Sequence, residues 1–548
     1  MIRARAVPER NTNTAAEETH EIGIGQNGES GMSEFAKTLA EKLEFVRKTL
    51  GTAERYEHAV HVINFDMETL CPADGMEEEG ETIAFLSTEA YKLLKSDEFI
   101  EAAEYLYEHR FGSGTEQEPG EDALEDLDRL LAETLHREYA KIRNITPEMN
   151  HEFTLAFNKA YIDWLNAKNA ADFSAFVPSL EKVREINLKQ VSLRPERKDN
   201  VYDELLDDYE RGITSEDLDE AFGKCKERLI PFLEKIKASK KIIRTDFLSR
   251  PVKDEQQREM TRYLLETIRY DFRRGAFATT EHPFTDDLAR NDVRITTHYY
   301  PERFSSGLYS VMHEGGHALF GQLQPYEHHG KYVANNMTLG MHESVSRFYE
   351  NRIGRSEAFT GLILPKIKEI FPGVLDDVSP REFYEGVNVV CPSLIRTEAD
   401  EFTYTFHIII RYEIEKMIVD GTAAISDLPE TWNGKYREYL GITPPNDAEG
   451  VLQDVHWSGG FGYFPTYALG NMYNAMFYNR MKTEIDPSAC VAAGDLETVN
   501  TWMKENVFAK ANLLEPKDWI RDITGRSLTP DDFLDYLEEK YGALYGIG

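Results

Sequence analysis

In SEFAKTLAEKLEFVRKTLG, residues 33–51, the apolar side chains Phe35, Leu39, Leu43, Val46 and Leu50 recur every three or four positions. Only an α-helix gathers that spacing onto one face, and such a face has to be buried against another element. Ser33 stands where a helix is capped and Gly51 where one is stopped. The same period runs through Phe153 to Leu165, Leu218 to Ile236, Arg258 to Tyr270, Ile395 to Ile418 and Pro530 to Tyr541, separated by turn-rich breaks such as GSGTEQEPGE at 112–121. A mainly α fold is therefore predicted. The exception is DVRITTHYY, 292–300, whose β-branched and aromatic residues predict a strand, with Val293, Ile295 and Thr297 on one face and Arg294, Thr296 and His298 on the other. No internal repeat is evident and no linker is long enough to force a split, so residues 32–548 read as a single domain with two lobes flanking a cleft.

Charge narrows the partners. With 97 Asp and Glu against 62 Lys and Arg, the net charge of −35 argues against nucleic acid and against an anionic membrane surface. The longest apolar runs, such as FHIII at 406–410, fall far short of the roughly 18 residues a spanning helix needs. Residues 1–31 lack the apolar core of a secretory signal, and Glu17, Glu18 and Glu21 do not suit a transit peptide. That stretch reads as a disordered extension, or as sequence ahead of a start at Met32. Cys71, Cys225, Cys391 and Cys490 lie far apart and form no C-x-x-C pair. A reducing, cytoplasmic setting is expected, without a disulfide framework or a thiolate metal site.

VMHEGGHALF, residues 311–320, carries the chemistry. On a helix, residues i and i+4 share a face, so His313 and His317 can aim both imidazoles at one ion with Glu314 beside it. Zinc held this way lowers the pKa of its bound water towards about 7, and a carboxylate takes that water's proton as it attacks a carbonyl. Hydrolysis follows from such a site. Gly315 and Gly316 each cost roughly 1 kcal/mol against alanine inside a helix. Their presence predicts a neighbour packed so closely on that turn that a Cβ would not fit.

A catalytic zinc usually has three protein ligands. The metzincin spacing is excluded, because Leu323 stands where its third histidine belongs and Phe320 where its glycine belongs. His328 and His329 fall in the turn-like QPYEHHGKYVANN. MHESVSRFYENRIG, 341–354, reads as a return helix and brings Glu343, which completes a His, His, Glu set of the gluzincin type. Glu343 could instead be an ordinary helix partner of Arg347 at i+4.

HEGGH at 313–317 followed by HESVS at 342–346 resembles the carboxypeptidase Taq family of metallocarboxypeptidases. HPF at 282–284, DVRIT at 292–296, IRTEADE at 395–401 and GVLQDVHW at 450–457 add to the likeness in the right order, and INFDMETLCPADG at 63–75 resembles an early family segment. The departures are Phe65-Asp66 in place of Trp-Asp, Val345 in place of a commoner Gln or Gly, and the extension before Met32. The resemblance implies a zincin-like helical peptidase fold around a deep substrate groove, with a small β-sheet beside the metal helix. It also implies a homodimer acting on peptides with zinc, or cobalt as the alternative, as the ion.

A carboxypeptidase has to recognise a free C-terminal carboxylate, which the planar fork of arginine does well. Arg396 and Arg294 lie in two of the matched motifs. Arg396 has Asp400 at i+4 as a rival partner, and Arg294 lies on the strand, along whose edge a peptide could pair. His456 and Tyr463, in DVHWSGGFGYFPTY, are candidates for steadying the developing oxyanion, or else parts of a buried aromatic cluster. The functional readings are a metal-dependent carboxypeptidase releasing single amino acids, an oligopeptidase cutting inside short peptides, and a non-catalytic metal-binding scaffold. The intact Glu314 speaks against the last.

Overall fold

The computed structural model describes residues 34–328 and 336–547; Ser33, His329 and the extension at 1–31 lie outside them. It is mainly helical. Five helices build the site: α1 (Glu34–Thr69), α2 (Phe304–Leu323), α3 (Leu339–Arg347), α4 (Tyr404–Asp420) and α5 (Pro465–Met481). Four of the predicted stretches coincide with the helices Pro147–Ala170, Ser215–Ala238, Asp254–Thr267 and Asp531–Tyr545, the third ending just short of Tyr270 and the fourth starting just after Pro530. Gly51 does not stop α1. The helix runs on because Ala53 and Phe65 find burial beyond it. Helix does not run from Ile395 either: Arg396–Glu398 is a separate 3-10 turn, and α4 starts at Tyr404. The Asp400 carboxylate accepts hydrogen bonds from Thr403 N at 2.9 Å and Thr403 Oγ1 at 2.8 Å, a local arrangement that competes with helix.

Two hydrophobic clusters form. One gathers Leu39, Val46 and Leu50 of α1 with Phe99, Leu106, Leu131 and neighbouring residues; the other is the main core, extending from Ala160 to Tyr545. Beside the main core lies a sheet of β1 (Phe277–Thr279), β2 (Thr285–Ala289) and β3 (Asp292–Thr297), in the order β1-β3-β2. The predicted strand is thus central, parallel to β1 and antiparallel to β2. This corrects the expectation of an edge open to peptide, because both sides of β3 are already paired. Among the described residues, no helix is long and apolar enough to cross a membrane.

Candidate metal centre

The α2 helix tolerates its two glycines because two neighbours occupy the space of the missing side chains. A Cβ on Gly316 would lie 2.8 Å from Ser346 Cα and 2.9 Å from Val345 O; one on Gly315 would lie 2.6 Å from Ile268 Cδ1. The close approach expected from the sequence is therefore made by the α3 backbone. On the other side of α3, a Cβ on Gly470 of α5 would lie 2.8 Å from Glu343 Cγ. Two helices without side chains at the crossing points grip the helix that carries Glu343.

That grip brings three donors together. His313 Nε2 is 3.5 Å and His317 Nε2 3.7 Å from Glu343 Oε2, and one donor atom from each residue fits within 4.8 Å of the others. The two imidazoles stand nearly perpendicular, at 81°. Each uses its other nitrogen elsewhere: His313 Nδ1 lies 3.0 Å from Glu350 Oε2, and His317 Nδ1 2.6 Å from His342 Nδ1. Both Nε2 atoms are left for an ion, and two imidazole nitrogens with one carboxylate suit a divalent cation that displaces the His313 proton. The residues present fit a divalent metal.

Glu350 sits in a π-helical turn, Phe348–Gly354, that prolongs α3. Arg347 ties ligand and support together, its Nε donating to Glu343 Oε1 at 2.7 Å and its Nη1 to Glu350 Oε2 at 3.1 Å. Of the two readings of Glu343, the pairing with Arg347 is present, and Oε2 also lies within 3.7 Å of the Nε2 of each histidine. Burial disfavours charge on His313, yet Glu343 and Glu350 outweigh it and lift its pKa to about 9. Burial, together with His342, His313 and Arg347, holds His317 well below its usual range, and burial also takes His342 down to about 4. Positive charge is favoured between the carboxylates.

Glu314, one step round α2, is buried, and this burial raises its pKa. Its Oε2 accepts a hydrogen bond from Thr285 Oγ1 at 2.7 Å. Among the described residues, Oε1 makes no hydrogen bond.

Over residues 45–541 the chain matches the model of the family described as Carboxypeptidase Taq (M32) metallopeptidase. The chain belongs to this family. Carboxypeptidase 1 of Bacillus subtilis (strain 168) is 39% identical over 492 residues, 89% of this chain and 96% of the relative. Thermostable carboxypeptidase 1 of Thermus thermophilus is 36% identical, over 92% of this chain and 98% of the relative. The crystal structure of an M32 carboxypeptidase from Deinococcus radiodurans R1 matches with a TM-score of 0.86 at 31% identity, covering 93% of this chain and all of that one (100%). The M32 chain is a metallocarboxypeptidase, a peptide hydrolase that works with a divalent metal ion.

The remaining candidate residues of this M32 enzyme fall in two places. Arg396, His456 and Tyr463 gather beside the metal centre. Arg396 is buried and paired not with Asp400 but with Asp454, whose carboxylate lies 3.0 Å from Nη2 and also receives Arg411 Nε at 2.6 Å. Its Nη1 donates to Tyr404 OH at 3.2 Å, and the Arg347 guanidinium lies over the Tyr404 ring at 4.2 Å, so one tyrosine touches both cations. The His456 and Tyr463 rings are 5.1 Å apart, and Tyr467 lies 5.4 Å from Tyr463. Burial raises the Tyr463 pKa, and the charge of Glu343 adds to it. Arg294 is turned to the opposite face of the sheet, paired with Asp292 at 2.7 Å and 5.0 Å from the Phe65 ring of α1. Sequence reasoning missed Glu350, His342, Asp454 and Thr285. His342 was the most findable of these, since it directly precedes Glu343.

Proposed function

We propose that this M32 enzyme removes single residues from the C-terminus of short peptides. In this reading His313, His317 and Glu343 hold the ion, zinc in the first instance and cobalt as the alternative, and Glu314 is the general base. The observation that carries it is the convergence of three donor atoms within 4.8 Å, with a buried carboxylate on the same helix. When bound, the ion supplies Lewis-acid polarisation of the substrate carbonyl and acidifies the attacking water. Glu314 Oε1 takes the water's proton while Oε2 stays on Thr285, and then returns it to the leaving amine. Tyr463 stays protonated and can donate O–H to the developing oxyanion. His456 is neutral, its pKa brought down to about 4 chiefly by burial, and its buried Nδ1 has no hydrogen-bond partner among the described residues.

Arg396 is the proposed clamp on the substrate carboxylate. Its Nε–Nη2 edge is taken by Asp454, so the substrate meets the remaining Nη hydrogens. Arg294 is the weaker candidate because it faces α1. Peptides ending in a free acid, an amide or an added residue separate the readings. Arg396→Ala is expected to lower efficiency on the free acid by about ten- to a hundredfold and to erase the preference for it. If amides are cut equally well by the unaltered enzyme, the activity is that of an oligopeptidase. No turnover of any of these peptides with zinc or cobalt would overturn this choice of ion and ligands.

The reading extends to a two-lobed single domain, a homodimer and a cytoplasmic home. The two lobes are supported by two separate hydrophobic clusters and the cytoplasmic home by four free cysteines, while the homodimer rests on the family resemblance alone. Limited proteolysis, light scattering and fractionation of the source cell test the three in turn.

A further inference from the structure

Strand β2 stands between two helices. Thr285 and Asp287 point to α2: Thr285 Oγ1 reaches Glu314 Oε2 at 2.7 Å, with the Glu314 carbonyl oxygen also within reach at 2.9 Å, and Gln324 Nε2, just past α2, donates to Asp287 at 3.3 Å. The alternate residues point to α1. Phe284, just before the strand, meets Phe65 edge-on with ring centres 5.9 Å apart, and Asp286 Oδ1 lies 3.1 Å from His61 Nδ1. A third contact sets His58 Nδ1 2.8 Å from Leu288 O. His58, His61 and Phe65 are spaced i, i+3, i+7, so they share one face of α1 and meet positions 288, 286 and 284 in reverse order. Among the described residues β2 is an edge strand paired with β3 alone, and beyond that pairing α1 holds one face of it and α2 the other.

We propose that His58, His61 and Phe65 of α1 position the general base, holding β2 so that Thr285 fixes Glu314 Oε2 and leaves Oε1 free to take the proton. These are positioning residues; none touches a metal ligand among the described residues. The inference rests on Glu314 as general base and adds that its placement depends on the docking of a helix whose first half belongs to a separate hydrophobic cluster. Mobility or loosening of that helix would then reach the reaction through one hydroxyl group.

The test is a double-mutant cycle on the metal-loaded enzyme, with kcat, KM, metal content and melting temperature read together. Thr285→Ala is expected to lower kcat roughly ten- to a hundredfold with KM and metal content unchanged, and Thr285→Ser to recover most of it. The double change His58→Ala/His61→Ala is expected to lower kcat about three- to tenfold in the wild type and to have no further effect beside Thr285→Ala. His61→Gln, which keeps a polar side chain, should fall between. Equal proportional losses in both backgrounds, or an unchanged kcat in the wild type, would overturn the proposal. Glu314→Gln is run alongside: if it stays active, the general-base reading fails. If it is inactive while Thr285→Ala is fully active, only the positioning inference fails.

Discussion

The Nδ1 atoms of His317 and His342 lie 2.6 Å apart, a distance at which one ring donates and the other accepts. For His317 to offer Nε2 to an ion, its Nδ1 carries the hydrogen and His342 accepts it. Replacing His342 with alanine removes the acceptor that fixes this tautomer. Metal affinity, measured by competition with a chelator of known strength, is expected to fall about ten- to a hundredfold. Unchanged affinity would show that His317 needs no outer partner.

His313 has a different support, the Glu350 carboxylate, neutralised in turn by Arg347 and Arg355. Glu350→Gln keeps an acceptor and should weaken metal binding less than Glu350→Ala, which is expected to cost about ten- to a hundredfold. The visible spectrum of the cobalt-loaded protein reports the change in ligand orientation independently of turnover. Identical spectra and affinities across the series would exclude Glu350 from the centre.

The two glycines of the metal helix predict opposite outcomes. Gly315→Ala meets only the ends of Ile268 and Leu265, which can shift, and gains roughly 1 kcal/mol of helix propensity to offset the crowding. Gly316→Ala presses on the α3 backbone, and Gly470→Ala presses on Glu343 from the other side. Each of the latter two is expected to destabilise by about 1 to 3 kcal/mol and to reduce metal content as well. Melting temperature and bound metal, measured on all three proteins, check this order.

Glu415 predicts how stability varies with pH. Burial pushes its pKa up to about 7, against the lowering effect of hydrogen bonds from Tyr202, Gly462 N and Trp457. The folded state therefore keeps a proton that the unfolded chain has released. Its contribution is fully present below about pH 4.5 and is lost as pH rises through about 7, by at most about 3 kcal/mol. Denaturant midpoints of the wild type should fall over that window relative to Glu415→Gln, and the two curves should run parallel above it. Parallel curves throughout would contradict the raised pKa.

The helices with a clean period were legible because their buried faces follow simple spacing, and the His, His, Glu set was legible because i and i+4 on one helix and a glutamate on the next leave few choices. Other features depend on distant pairing. Strand β2 carries Asp286 and Asp287 and shows no apolar alternation, so nothing in its own residues marks it as the partner that makes β3 central. Arg396 takes Asp454, 58 positions away, in preference to Asp400, which is drawn to Thr403 and Cys391 N. Glu350, seven positions after Glu343, falls on the same face even by regular helical counting; what its own stretch does not mark is its pairing with His313, 37 positions away.

Gly316 and Gly470 leave α3 no room on either flank. A lineage drifting at either position would have to displace the helix, and with it the carboxylate of Glu343, before any gain could be realised. A single replacement at either position would move the helix against its other neighbour. The seat of the candidate centre thus depends on positions that contribute no atom to it: two residues without side chains fix where the Glu343 carboxylate can stand.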